Sequence, residues 1–366
     1  MTPTGKPLAP VSPPTEPPPD VAVPTERVGR GFLVLYGLAN FGLYLTVMMP
    51  ALFSLPYKVG LVAPHDKVSV LGTVATAGAV VGLVTGPVAG ALSDRTRTRF
   101  GRRRPWFVGG ILVLAAGSTI VALADSVTGI VLVPVLALAV TGGLFLFLLP
   151  EPLVELPAQS IARTFRELVF DPRRYPDFSL LWVSKLFMQT ALAFLSTYQL
   201  YFLLDRLGFT AEEAGAKLSI AGGVGIVVTM TFAVVSGTLS DRLKRRKIFV
   251  LGSAVLAATG LALMAVCDGY ALFFVAVMFI LGAAGMFGSV DVALASDLVP
   301  DRAQAGRWMT TYNMSATLST AVGPLLGAAL LAIGSADSTN YTALFLAGAV
   351  FSLVAGLLVT FIKEAR

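Results

Sequence analysis

Apolar residues run through this chain in long unbroken blocks separated by short polar stretches, not as narrow stripes or alternations. The blocks are Gly31–Leu52, Val68–Leu92, Pro105–Ala124, Gly129–Pro150, Leu180–Leu204, Leu218–Leu239, Ile248–Cys267, Ala271–Ala295, Arg307–Ile333 and Tyr341–Ile362. Most reach the roughly 20 residues that an α-helix needs to cross a bilayer. The pattern therefore predicts an all-α polytopic membrane protein with about ten transmembrane helices. The longest connection, Glu151–Phe178, is bounded by Pro152 and Pro157 at one end and Pro172 and Pro176 at the other. Within it Ile161, Phe165, Leu168 and Val169 recur at helical spacing among Arg163, Arg166 and Glu167. That spacing predicts a short amphipathic helix on the membrane surface.

Composition supports the spans: 55% of residues are hydrophobic and only 13% charged, too few charges to cover a soluble domain. The net charge of +6 is concentrated in short loops between apolar blocks, where it sets topology instead of binding nucleic acid. If the N-terminus is cytoplasmic, the basic clusters, the Arg163–Arg174 linker and the tail with Lys363 and Arg366 all fall inside. Lys58, Lys67, Arg206 and Lys217 are then the few positive charges outside. The expectation is a multi-pass protein of the plasma membrane with both termini cytoplasmic. Residues 1–30 hold nine prolines between Pro3 and Pro24 and read as a disordered tail, with no signal-peptide pattern. The single Cys267 and single His65 offer neither a disulfide framework nor a metal site. No cofactor, enzyme active site or phosphate-binding loop is expected, because no nucleophile–base or paired-carboxylate set lies at one membrane depth.

One phrase occurs twice. Gly90-Ala-Leu-Ser-Asp94-Arg95 and Gly237-Thr-Leu-Ser-Asp241-Arg242 each end an apolar block and lead into a basic cluster. A helix–loop–helix unit repeated in one orientation is the mark of a duplicated carrier. The longer stretch Ser93-Asp-Arg-Thr-Arg-Thr-Arg-Phe-Gly-Arg-Arg-Arg-Pro-Trp106 resembles the loop after helix 2 in the major facilitator superfamily. Its Arg-Pro-Trp ending looks most like the glycoside–pentoside–hexuronide and sucrose-transporter-like branches. Val290-Asp-Val-Ala-Leu294 followed by Asp297-Leu-Val-Pro-Asp301, and Tyr198-Gln-Leu-Tyr-Phe202, are similar to the same branches.

That resemblance implies a two-bundle fold of six helices plus six, whereas this chain divides as four plus six. From Asp94 to Glu151 there are 57 positions, from Asp241 to Lys363 122, and the difference of 65 is about two helices and a loop. The counterparts of family helices 4 and 5 are expected to be missing. The expected domains are a tail over 1–30, a first bundle over 31–150, a linker over 151–178 and a second bundle over 179–366.

Ionisable residues inside spans need a reason. Lys185 and Asp291 each lie about six residues, roughly 9 Å, below the same surface, and are expected to form a coupling ion pair. Gln189, Ser196 and Gln199 continue a polar stripe from Lys185, with Tyr198 and Tyr201 read as flanking it. Tyr36, Asn40 and Tyr44 repeat every four residues in the first span. Amides and rings in such stripes suit a hydroxyl-rich ligand, so Tyr36, Asn40, Tyr44, Gln189, Tyr198 and Gln199 are the substrate-binding candidates. Helix-packing is the rival reading of Asn40, and Tyr312 and Asn313 are weaker candidates. The resemblance makes Asp94, Arg95, Arg103, Asp241 and Arg242 gating-loop residues. Gly82-Leu-Val-Thr-Gly86-Pro87 lacks the acidic residues of the melibiose-type sodium site, which argues against sodium coupling of that design.

The expected function is secondary transport of a small polar solute, a sugar or glycoside, as a proton symporter with alternating access. The alternative is a truncated or repurposed non-transporting membrane protein of the same fold.

Overall fold

The computed structural model describes residues 50–95, 104–123, 170–301, 305–334 and 339–363. Among these the chain is helical throughout, with no strand. The helices are α1 (Leu55–Val62), α2 (Lys67–Arg95), α3 (Arg104–Leu123), α4 (Pro176–Tyr201), α5 (Ala211–Leu243), α6 (Arg246–Ala265), α7 (Tyr270–Asp297), α8 (Ala305–Leu331) and α9 (Tyr341–Thr360). Two π-helical turns adjoin them, Pro50–Ser54 before α1 and Phe202–Arg206 after α4. Among the described residues six helices, α4 to α9, are long and apolar enough to cross a membrane. The expected span Gly129–Pro150, all but the last three residues of the expected span Gly31–Leu52, the tail and the amphipathic stretch Ile161–Val169 lie outside the described residues.

The helix ends show where hydropathy alone misplaces a boundary. Apolar content starts the fifth described helix at Leu218, but it begins at Ala211, because Thr210 and Glu213 form a capping box. Thr210 Oγ1 accepts from the Glu213 amide at 3.3 Å, and Glu213 Oε2 accepts from the Thr210 amide at 2.9 Å. The Thr-x-x-Glu spacing carries that signal in the sequence. Pro176, expected to close the linker, instead opens α4 at its first turn, where a missing amide costs nothing. At the other end of α5, Lys244 turns the chain in the left-handed region (φ 51°), so only Lys244 and Arg245 separate α5 from α6. The short helix α1 stands where the hydropathy pattern shows only a loop.

Packing runs in the order α5, α7, α6, α9, α4, α8, with α2 seated on the outer side of α8. Small residues set the closest approaches. On α7, a Cβ at Gly285 would stand 2.9 Å from the Thr229 carbonyl carbon and 3.0 Å from its Cα. Such backbone proximity is how spanning helices associate when lipid offers no hydrophobic drive. Hydroxyls add cross-links: Ser236 with Ser289 at 2.9 Å, Thr229 to the Leu281 carbonyl at 3.1 Å, and Ser184 to the Ala355 carbonyl at 2.8 Å. The helix α5, at the end of the row, has 11% of its most apolar window buried, against 39–50% for the other five spans.

Two cores result. One, around Phe194, Tyr198, Phe202, Phe273 and Phe345, fills the end remote from the basic turn. The second, around Phe178, Leu181, Phe287, Trp308 and Tyr312, fills the end that carries Lys244–Lys247, called here the basic end.

Candidate functional site

The site is assembled from three helices. The stem of Lys185 leaves α4 among Leu181, Ser184 and Met188, all buried, and its ammonium reaches Asp291 of α7, Nζ to Oδ2 3.0 Å. The two side chains are 6% and 3% exposed, so this is a charge pair taken out of solvent. A buried pair survives only if its remaining hydrogen-bonding capacity is met, and α8 meets it. Tyr312 donates its hydroxyl to Asp291 Oδ1, and Asn313 Oδ1 accepts from Lys185 Nζ at 3.2 Å. The Lys185 ammonium also lies 4.1 Å from the centre of the Tyr312 ring, over its electron-rich face. Tyr312 thus touches both charges.

Alignment of α8 with α4 is fixed by three further bonds. Trp182 Nε1 donates to the Thr311 carbonyl at 2.9 Å, Ser319 Oγ to the Leu186 carbonyl at 2.8 Å, and Tyr198 Oη to the Pro324 carbonyl at 2.6 Å. One turn towards the basic end, rings close over the pair. Trp308 packs edge-on against Tyr175 and Phe178, with centroids 4.9 and 5.0 Å apart, and Phe178 lies 6.1 Å from Tyr312. Phe170 joins them, 5.2 Å from Phe178. The end of the linker is therefore built into the cover of the ion pair.

The sequence-derived candidates separate into groups. Lys185 and Asp291 are brought together. Gln189 and Gln199 are half-buried on the same face of α4 as Lys185, and Ser196 between them is exposed. The side-chain amide of neither glutamine hydrogen-bonds to another described residue. Tyr198 is corrected: it does not flank this stripe. Adjacent residues of a helix point about 100° apart, so the neighbour of Gln199 faces away from it. Tyr198 is fully buried, and its ring fills the space over Gly327 and reaches Gly72. Tyr198→Phe is accordingly expected to cost about 1 kcal/mol of stability, the worth of one buried hydrogen bond, read by thermal unfolding in detergent, without altering ligand affinity. Tyr36, Asn40, Tyr44, Arg103 and the side chains of Asp94 and Arg95 lie outside the described residues.

In the second repeat loop, Asp241 pairs locally. Arg246 reaches Asp241 at 3.5 Å and Asp297 at 2.9 Å, so one guanidinium ties the ends of α5 and α7. Arg242 is exposed. Arg246 can reach both because it opens α6 directly after the tight turn. Sequence reasoning missed Arg246 as the bridge. The signal was present in the two-residue turn, which places Arg246 beside the end of the helix it follows. Among the described residues no group of acidic, histidine or cysteine side chains is arranged to hold a metal.

Comparison with known proteins agrees with this architecture. The model of the Major Facilitator Superfamily matches residues 126–288 and 181–366, and that of MFS/sugar transport proteins matches residues 35–160. A curated relative from Synechocystis sp., described as an uncharacterized symporter, is 36% identical over 83 residues. The match takes in 22% of this chain and 14% of that relative's length. Superposition on the E. coli fucose:proton symporter FucP covers 91% of this chain and 93% of the other, at 14% identity and a TM-score of 0.42, too loose to argue from. With a family model matching most of its length and six apolar spans, the chain is a multi-pass integral membrane protein and belongs to the Major Facilitator Superfamily.

Proposed function

We propose that this protein is a secondary transporter that moves a sugar or glycoside together with protons, and that Lys185 and Asp291 are its coupling pair. The observation that carries the reading is the buried pair itself, an ammonium and a carboxylate 3.0 Å apart inside spanning helices. An unpaired charge at that depth is expensive. Protonation of Asp291 would leave Lys185 as such a charge, and the cheapest response is a movement that admits water or a ligand hydroxyl to the ammonium. Proton occupancy and conformation are then linked through one bond. The sugar class is supported by the match of residues 35–160 to sugar transport proteins, and by Gln189 and Gln199, amides left open on the face that Lys185 shares. In this reading the basic end is cytoplasmic, both termini with it, and the protein lies in the plasma membrane. Four spans within 31–150 form the first bundle, 151–178 the linker and 179–366 the second bundle.

The test is pH-jump uptake in proteoliposomes against labelled mono- and disaccharides. Asp291→Asn is expected to lower proton-driven accumulation at least tenfold while solute exchange without a pH gradient persists. Tyr312→Phe should lower accumulation severalfold. Unchanged pH dependence in Asp291→Asn would sink the coupling role.

The second reading is a non-transporting protein of the same fold. It is favoured by the open side of α5, 11% buried over its apolar window, as expected where partner helices are missing. Absence of uptake of every sugar by folded, reconstituted protein would select it.

A further inference from the structure

A second polar cluster lies at the end remote from the basic turn, and nothing in the coupling reading uses it. Asp205 stands in the π-helical turn Phe202–Arg206, where the α4 spiral widens before ending. Such insertions in otherwise regular helices concentrate at functional positions. Both of its carboxylate oxygens are engaged. Oδ1 takes the ammonium of Lys67, the first residue of α2, and Oδ2 accepts from the Tyr341 hydroxyl at the start of α9, 2.8 Å away. Beneath them Tyr201, buried, donates its hydroxyl to the Pro56 carbonyl of α1 at 2.9 Å, and the Lys67 ammonium lies 5.2 Å from its ring centre. Thr76 then donates to the Ala321 carbonyl of α8 at 2.7 Å. These bonds tie the Pro56–Thr76 stretch of α1 and α2 to the later helices.

We infer that Lys67, Asp205 and Tyr341 form a latch that holds the remote ends of α1 and α2 against α4 and α9, and that this structure is the latched state. The strength of the parts suits a device that opens. The Lys67 and Asp205 side chains are 23% and 17% exposed, several times more than Lys185 and Asp291. Water can therefore replace each partner as they separate, and the barrier to parting stays low. Tyr341 adds direction, because its hydroxyl fixes the carboxylate towards Lys67 from the far side. Arg206, next to Asp205, is engaged elsewhere, with Asp268 at 3.3 Å, so it does not compete for the carboxylate. The latch needs no assumption about solute. Only its consequence, that it closes the outer mouth of a carrier, rests on the transport reading.

The test measures the latch by distance. Spin labels on His65→Cys and Glu212→Cys, both exposed positions, report the separation of the two sides in reconstituted full-length protein. The native Cys267 does not interfere: it is buried, donates to the Gly269 carbonyl, and burial pushes its thiol above the ordinary range. Lys67→Gln, Asp205→Asn and Tyr341→Phe are each expected to cut the short-distance population by half or more and add a longer one. The exchange Lys67→Asp with Asp205→Lys is expected to restore the short distance, which a variant that merely misfolds cannot do. Unchanged distances in the neutral variants, or an exchange no better than the single changes, would overturn the latch. Uptake measured in parallel separates this outcome from the transport reading, since the distances shift whether or not a sugar is carried.

Discussion

Replacing Lys185 with methionine is expected to lower the free energy of unfolding by about 3–5 kcal/mol. The reason is the burial of what remains. Asp291 would keep its charge or bind a proton in a site 3% exposed, with only the Tyr312 hydroxyl for company. Asp291→Leu should cost a similar amount by stranding the ammonium between Asn313 and the Tyr312 ring. The double variant Lys185→Met with Asp291→Leu is expected to recover most of that loss, because two apolar side chains of similar volume avoid the desolvation of two ions. Thermal and denaturant unfolding of the four proteins in one detergent makes the comparison. If the double variant were as unstable as either single one, the pair would be a structural requirement of the fold. Recovery of stability with loss of proton-driven uptake would mark the pair as held for function.

Gly285→Val should be comparably damaging for a different reason. The position faces the backbone of Thr229 on α5, and a Cβ there would stand closer than van der Waals contact to three backbone atoms. Side chains adjust by rotating, but a facing backbone moves only if its whole helix moves. Overpacking ordinarily costs about 1–3 kcal/mol, and contact with backbone sits at or beyond the top of that range. Among the described residues the main neighbour of α5 is α7, and the apolar window of α5 is 11% buried. The expected result is release of α5, seen as faster proteolysis or hydrogen exchange in Ala211–Leu243 while α4, α6 and α9 stay protected. A uniform loss of protection would show instead that the bundle unfolds as one unit. Gly222 is the control: a Cβ there meets nothing within 4 Å, so Gly222→Ala should leave stability unchanged or raise it.

The ion pair was legible in the sequence because two facts suffice to find it. Charges inside apolar runs are rare, and the rise per residue places Lys185 and Asp291 at matching depth. The membrane spans and the repeated Asp94 and Asp241 phrases were legible for the same kind of reason: hydropathy and loop charge act along the chain, without reference to neighbours. What linear reading obscured was facing. Tyr198 sits next to Gln199 in sequence, yet the helix turns it away to fill a gap over Gly327. The bonds of Tyr312 and Asn313 to the two charges depend on the alignment of α8 with α4, set by Trp182, Ser319 and Tyr198.

The sequence by itself determined the membrane class, the six spans from α4 to α9, the repeat and the two residues whose charge had to be paired, because each follows from transfer into lipid or from local helix geometry. The tertiary structure alone decided which third and fourth groups complete that pair. It alone also decided that Lys67, Asp205 and Tyr341, far apart in the chain, meet at one end. Such contacts depend on helix rotation, on a π-turn that shifts Asp205 round its axis, and on small residues that let backbones close up. These are properties of packed neighbours, and no single segment encodes them.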